Sequence, residues 1–274
     1  MAVLLVAAVM SAGAAEAQNT KMPSTLRWGS GYLDAPSASV LPHLAIAGTY
    51  SGFWVNLDNR LLVGPQGQVI GSGDELDKYY SDGSIYFGLF DRLELGGVIH
   101  SFDDEGTGNI VGGFARLALL RPETQGLGLA VGTRYLTEPD FNDNVVQQPN
   151  RLGIPDQRFL QNYGGGPGAL DDVNTQWSHY AVTSLFLRGL STDWLPENDF
   201  TFTVGWGNGL FNDGEDLNWY SFADSEGWFT GAVSHIALSE TSLLNLMGEW
   251  NGFDINLGAQ LDLGGLRLGA HYLG

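Results

Sequence analysis

The C-terminal third of the chain alternates strictly between apolar and polar residues. Every second residue from 255 to 263 is apolar, and the pattern resumes after the Gly264-Gly265 turn and runs to residue 272. Successive side chains of a strand point to opposite faces, so one face of this hairpin meets an apolar medium and the other a polar one. The apolar face would form the core of a soluble sandwich, or it would face lipid around a polar lumen in an outer-membrane barrel.

Connection lengths separate these two architectures. The sequence contains eleven strand segments: 43–54, 83–90, 93–102, 109–120, 127–137, 179–190, 199–211, 227–238, 243–250, 254–263 and 266–273. Short connections (90–92, 121–125, 191–198, 239–241, 264–265) alternate with mostly longer ones (55–82, 103–108, 138–176, 212–226, 251–253). Short turns on one rim and longer loops on the other are typical of outer-membrane barrels. We therefore predict an all-β, antiparallel up-and-down transmembrane β-barrel of about 10–12 strands.

Strand parity leaves one question open, because bacterial single-chain barrels have an even number of strands. Either a twelfth strand lies outside the given sequence, or one has been divided or missed. The hairpin-like segment 61–70 is one candidate, although we interpret it as a loop excursion.

The N-terminus has the pattern of a secretory signal peptide. A short apolar run is followed by small residues and by Ala15-Glu16-Ala17, which fits an A-x-A cleavage site. The run lacks a preceding Lys or Arg, and the alternative is a buried N-terminal helix. We assign residues 1–17 to a signal peptide, 18–42 to a periplasmic or lumen-entering lead, and 43–274 to the barrel. The predicted location is the bacterial outer membrane, with its lipid as partner.

Net charge excludes one class of partner. The formal charge is -19 and the sequence pI is about 4.3, whereas nucleic-acid binding requires a basic face. Acidic residues concentrate in predicted loops, for example at 103–105 and 213–216, where hard oxygen ligands at short spacing could suit Ca²⁺. Neither segment has the twelve-residue EF-hand pattern, so we favour a solvated acidic rim and expect no metal or cofactor.

The polar positions of the predicted strands form a lumen-facing set. Its members are Glu94, His100, Arg116, Arg134, Asn245, Glu249, Asn256, Gln260, Asp262 and Arg267. A barrel of about a dozen strands encloses a lumen that side chains can largely fill. Because unpaired buried charge is costly, we expect the Arg and Glu side chains to pair with each other in a structural network. A solute path is the alternative.

Two further expectations concern the outer face. Aromatic residues cluster near strand ends, and we predict interfacial girdles from a set that includes Tyr50, Tyr86, Phe87, Trp206, Phe211, Trp228, Phe229 and Trp250. On the last hairpin, Leu257, Leu261, Leu266 and Leu268 should face lipid. Arginine in place of Gln260 should then be tolerated better than arginine in place of Leu257 or Leu261.

Three segments resemble the YjbH-like outer-membrane family. They are 31–42, similar to its G-L-x-x-P-[ST]-A opening; 88–96, similar to G-L-x-x-R-L-E-L-G; and 249–258, similar to E-x-[DN]-G-x-x-x-N-x-G. They cover about 30 residues and follow the family's order. The resemblance implies a barrel linked to exopolysaccharide secretion, in a family whose members are often larger and contain repeated barrels. It implies no catalytic residues.

We therefore expect a non-enzymatic outer-membrane protein, either a narrow channel or an envelope component associated with polysaccharide export. A polysaccharide or a small solute is the possible ligand. The long loop 138–176, with glycines at its centre, would fold over or into the barrel mouth and limit passage, or would be an external loop without effect.

Two alternatives belong to other classes. A secreted soluble β-sandwich could bind or hydrolyse carbohydrate, and an outer-membrane acyl hydrolase could use His and Ser. The pairs His100-Ser101 and Ser234-His235 are adjacent in sequence, so the two side chains of each pair point to opposite faces and cannot form a nucleophile–base pair.

Overall fold

The chain folds almost entirely into antiparallel strands. A computed structural model describes residues 5–11, 21–57, 60–63, 69–73, 76–102, 110–121, 126–137, 177–192, 195–212, 226–252 and 255–272. The predicted all-β, up-and-down antiparallel fold is confirmed. Among the described residues no helix has the length and apolarity that crossing a membrane would require.

The strands follow one another along the chain in the order of the sheet. They are β1 (Leu5–Ser11), β2 (Ile46–Leu57), β3 (Arg60–Val63), β4 (Val69–Gly73), β5 (Leu76–Leu89), β6 (Leu93–Phe102), β7 (Ile110–Leu120), β8 (Leu127–Leu136), β9 (Trp177–Thr192), β10 (Leu195–Gly207), β11 (Trp228–Ser239), β12 (Ser242–Trp250), β13 (Ile255–Leu263) and β14 (Leu266–Tyr272). The eleven predicted segments correspond to β2 and β5–β14. The described parts of segment 61–70, residues 61–63 and 69–70, lie in the separate two-stranded sheet of β3 and β4, outside the barrel wall.

The sheet closes through β1, which lies between β14 and β2. Leu5 is opposite His271 on one side and Phe53 on the other, and both pairings are antiparallel. The segment that we interpret as a signal peptide thus occupies the twelfth strand position. Cleavage after Ala17 would remove the neighbour that β2 and β14 share. The run Leu5–Met10 is apolar at every position, unlike the alternating β14, so its sequence still fits a signal peptide.

The two rims of the barrel differ. The connections β5–β6, β7–β8, β9–β10, β11–β12 and β13–β14 are all short and lie on one rim, which we call the short-turn rim. The opposite end, which we call the mouth, carries the connections β2–β5, β6–β7, β8–β9, β10–β11 and β12–β13. Loop 138–176 and the acidic segments 103–105 and 213–216 lie outside the described residues, so their predicted roles stay predictions.

The wall is apolar outside and polar inside. On β14, Leu266, Leu268 and Tyr272 are exposed, whereas Arg267 and His271 are buried. The same alternation places Leu257 outside and Asn256 and Gln260 inside on β13.

The aromatic residues divide between the two faces. Trp206, Trp228 and Trp250 are outside and exposed, as expected for a girdle. Tyr86, Phe211 and Phe229 are buried inside, so their assignment to a girdle is wrong. They pack against a chain segment that fills the lumen.

Candidate functional site

The lumen is occupied by the segment that precedes β2. We call residues 21–42 the plug. Between 21 and 41 every residue is buried except Lys21, Arg27 and Asp34, which are partly exposed. Wall side chains therefore share the lumen with another part of the chain. An extra length of backbone lies inside, consistent with the lumen-entering form of the predicted lead.

Both ends of the plug lie at the short-turn rim. Lys21 forms an ion pair with Asp199 near the start of β10. At the other end, the His43 backbone N–H donates to Asp91 Oδ1 in the β5–β6 turn at 2.8 Å. Between these points the chain rises to Glu249, next to the last residue of β12 and close to the mouth. The plug is thus a loop inserted from one rim.

The plug is held in shape by its own backbone bonds. Thr25 N–H donates to Gly29 O at 2.7 Å, and Leu26 N–H donates to Leu33 O at 2.8 Å. Gly29 has φ +81°, and a Cβ atom there would lie 2.3 Å from Glu94 Oε1. Glycine is therefore required both by the backbone conformation and by the approach of the wall carboxylate.

Glu249 binds the apex of the plug through three consecutive backbone amides. Its carboxylate accepts hydrogen bonds from the N–H groups of Leu33 at 3.0 Å, Asp34 at 2.9 Å and Ala35 at 2.9 Å. Asn256 Nδ2 donates to the same carboxylate at 2.9 Å. A buried carboxylate needs this number of donors, because removing it from water is otherwise very costly.

Glu94 binds the plug in the same manner nearer the short-turn rim. It accepts from Ser30 N–H at 3.0 Å, from Ser30 Oγ at 2.7 Å and from Leu41 N–H at 2.9 Å. One carboxylate therefore joins the middle of the plug, at Ser30, to its C-terminal end, at Leu41, where the chain leaves the lumen. Gly88 makes room for that exit, since a Cβ atom there would lie 2.1 Å from Pro42 O.

Arg116 supplies the complementary donors. Its fully buried guanidinium donates to the carbonyls of Ser39 at 2.8 Å and Trp28 at 3.2 Å, and also to Ser30 O. The predicted ionic contact exists, with Arg116 Nη1 at 3.7 Å from Glu94 Oε1. Both groups, however, make their shorter contacts with plug backbone. The charged side chains of the inner wall are therefore hydrogen-bonded mainly to peptide groups of the plug, and less to side chains of opposite charge.

The last hairpin holds the start of the plug. Gln260 Oε1 accepts from Ser24 N–H at 3.1 Å. Arg267 pairs with Asp262 at 2.8 Å and also donates to Met22 O at 3.2 Å. Gln260 is buried against the plug, so arginine in its place would replace the bond to Ser24. The greater tolerance of arginine at position 260 than at Leu257 or Leu261 stays a prediction.

The remaining predicted residues have distinct surroundings. His100 bonds Asp82, which is also 3.7 Å from Arg27 of the plug. Arg134 Nη2 donates to Asp34 O at 2.8 Å. Asn245 bonds the imidazole of His235 at 2.7 Å. All ten residues of the predicted lumen set are thus buried on the inner face.

Several contributing residues were not in the predicted set. Ser184 Oγ accepts from Ala38 N–H at 2.9 Å, and Tyr86 OH donates to Ser24 Oγ at 2.8 Å. Burial raises the pKa of Tyr32, whose hydroxyl donates to Thr203 Oγ1 at 2.7 Å. Apolar contacts complete the site, with Leu33 and Trp28 of the plug in its two clusters. These serine, threonine and tyrosine residues could not be predicted from the sequence, because such residues are common on strands and do not indicate a hydrogen bond to a segment inside the lumen.

The three segments that resemble the YjbH-like family meet at this site. Segment 31–42 forms most of the plug's second half, while segments 88–96 and 249–258 contribute Glu94 and Glu249, which bind plug backbone. No protein-family model matches the chain, and no curated protein is similar to it in sequence.

Proposed function

We propose that the protein is a non-enzymatic β-barrel of the bacterial outer membrane, closed by its own plug, which acts as an envelope component associated with exopolysaccharide export. The supporting observation is the inverted distribution of polarity. Charged side chains such as Arg116 and Glu94 are fully buried, whereas large apolar side chains such as Leu246 and Val204 are exposed on the wall. Water would not favour this distribution, but a surrounding lipid phase would.

Outward aromatics near the mouth support the same proposal. Tyr135 and Trp177 are cross-strand partners, as are Trp206 and Trp228, while Trp250 follows near the mouth end of β12. Amphipathic rings at one level around a barrel are typical of a membrane–water interface. The link to exopolysaccharide rests on the resemblance of three segments, all of which contribute to the plug site. Exopolysaccharide secretion by a strain that lacks the protein, with and without complementation, tests that link.

Arginine substitutions on the outer wall test the membrane location. Leu246→Arg, near the middle of β12, is expected to destabilise the protein folded in lipid vesicles by about 2–4 kcal/mol. Leu238→Arg, on the same face near the short-turn rim, is expected to cost about 0–1 kcal/mol. Both leucines are exposed, at 44% and 57%, so a barrel surrounded by water would tolerate both changes. Small and equal costs would contradict the membrane location.

A gated narrow channel is the second candidate. Two observations favour it: both plug ends lie at the short-turn rim, and the described contacts between plug and wall are noncovalent. Planar-bilayer recordings should show no steady conductance for the wild type. A chain that keeps β1 but lacks residues 21–42 should conduct. If the shortened barrel is folded and does not conduct, the channel function is excluded and the closed envelope component remains.

A further inference from the structure

Arg134 is a buried cation without a carboxylate partner among the described ion pairs. The residue is 2% exposed, its Nη2 donates to Asp34 O, and its Nε has no hydrogen-bond partner. Uncompensated charge is expensive to bury. Other interactions must therefore stabilise this guanidinium, and they identify what Arg134 connects.

Aromatic faces add to the charge of Asp34, the carboxylate that acts on Arg134 from beyond ion-pair distance. The Arg134 Cζ atom lies 4.8 Å from the ring centroid of Trp28 and 4.7 Å from that of Phe211, with Tyr180 at 5.6 Å. Cation–π attraction is strongest where water is excluded. Trp28 belongs to the plug, whereas Phe211 belongs to the segment that follows β10 at the mouth. Arg134 therefore joins two separate parts of the chain.

The segment 208–212, which we call the mouth segment, is fixed against β9. Asn208 Oδ1 accepts from His179 N–H at 2.7 Å, and Leu210 N–H donates to Ser178 Oγ at 2.9 Å. Gly209 adopts φ +60° in the turn, and a Cβ atom there would lie 2.6 Å from Ser178 Oγ. This turn directs Phe211 into the lumen, where its ring stacks on Phe229 with centroids 4.9 Å apart.

We propose that the mouth segment is a latch on the plug, with Arg134 held between Phe211 and Trp28 as the connecting group. Moving the mouth segment outward removes one aromatic face from Arg134 and weakens its contact with Trp28 and with the Asp34 carbonyl. A binding event at the mouth would thereby loosen the apex of the plug. This proposal rests on the plug closing the lumen. It does not depend on which solute or polymer the barrel binds or transports.

Cysteine labelling measures this coupling directly, because the chain contains no native cysteine. Ser37→Cys places a thiol in the plug at a position that is 0% exposed. The probe is a bilayer-impermeant maleimide added to folded protein in lipid vesicles. We expect Phe211→Leu and Arg134→Met each to raise the labelling rate roughly tenfold, as loss of a desolvated cation–π contact implies. The double variant should label no faster than the faster single variant.

Two controls separate the latch from general loosening. Phe202→Leu makes the same change on the outer face of β10, where the ring is exposed and points away from the plug, and should leave the labelling rate unchanged. Arg134→Lys keeps a cation and should retain more protection than Arg134→Met. Heat-modifiable electrophoretic mobility confirms that each barrel is folded before labelling. Multiplicative effects of the two single variants, or an equal effect of Phe202→Leu, would overturn the proposal.

Discussion

Replacing Glu249 with leucine is expected to lower the free energy of unfolding by at least about 3 kcal/mol. The change removes the acceptor of three plug amides, those of Leu33, Asp34 and Ala35, and of the Asn256 side chain. Each buried donor left without a partner costs about 1–3 kcal/mol, although water that enters from the mouth offsets part of this. Urea titration of the barrel in detergent micelles, followed by tryptophan fluorescence, measures the loss.

The matched control is a glutamate that binds nothing inside the barrel. Glu240 is exposed in the β11–β12 turn, and Glu240→Leu is expected to change stability by less than about 0.5 kcal/mol. Glu249→Gln retains one acceptor oxygen and should fall between the two. If the Glu249 and Glu240 leucine variants unfold at the same urea concentration, the carboxylate does not hold the plug.

Replacing Arg116 with methionine is expected to cost about 3–5 kcal/mol, because Glu94 is then left as a buried charge without its cation. The three plug carbonyls that Arg116 serves also lose a donor. The same urea titration measures this effect. Arg92→Met is the control, since Arg92 is exposed and donates to Leu119 O at 2.9 Å on the barrel rim. Its loss should cost no more than about 1 kcal/mol.

A second substitution distinguishes charge from packing at Arg116. Adding Glu94→Gln removes the stranded negative charge, so the double variant should be less destabilised than the sum of the two single variants. Strict additivity would mean that Arg116 and Glu94 act independently on the plug and that their 3.7 Å contact contributes nothing to stability.

The wall of this barrel could be predicted closely from the sequence. Strand β6 has the bounds predicted for it, and β12 and β13 differ from prediction by one residue at one end. The reason is local: a side chain's face follows from its position parity, and a turn such as Gly264-Gly265 marks where a strand ends. The same parity placed Glu94, Arg116 and Glu249 on the inner face.

What these inner residues bind could not be predicted, because it depends on contacts between distant parts of the chain. Glu249 meets Leu33 across 216 positions, and no periodicity in either segment encodes that distance. Residues 21–42 lack strand alternation, and several of their backbone groups find their partners on the inner face of the closed wall. The expected Arg–Glu pairing followed correctly from the cost of buried charge. In the structure, however, the buried charges are stabilised largely by hydrogen bonds to peptide groups of the plug. A count of charged side chains in the sequence does not include these groups.

The sequence by itself thus determined eleven of the twelve described wall strands, their facing and the polar character of the lumen, since all three follow from period-2 alternation and local turn chemistry. The closing strand β1, which has no such alternation, was not among them. Only the tertiary structure decided that the lumen is filled by residues 21–42 and that Phe211, Arg134 and Trp28 stack there. Both results depend on which segments share the closed interior. The physical reason is that a closed barrel brings the inner faces of all its strands around one volume, whereas sequence patterns report each strand separately.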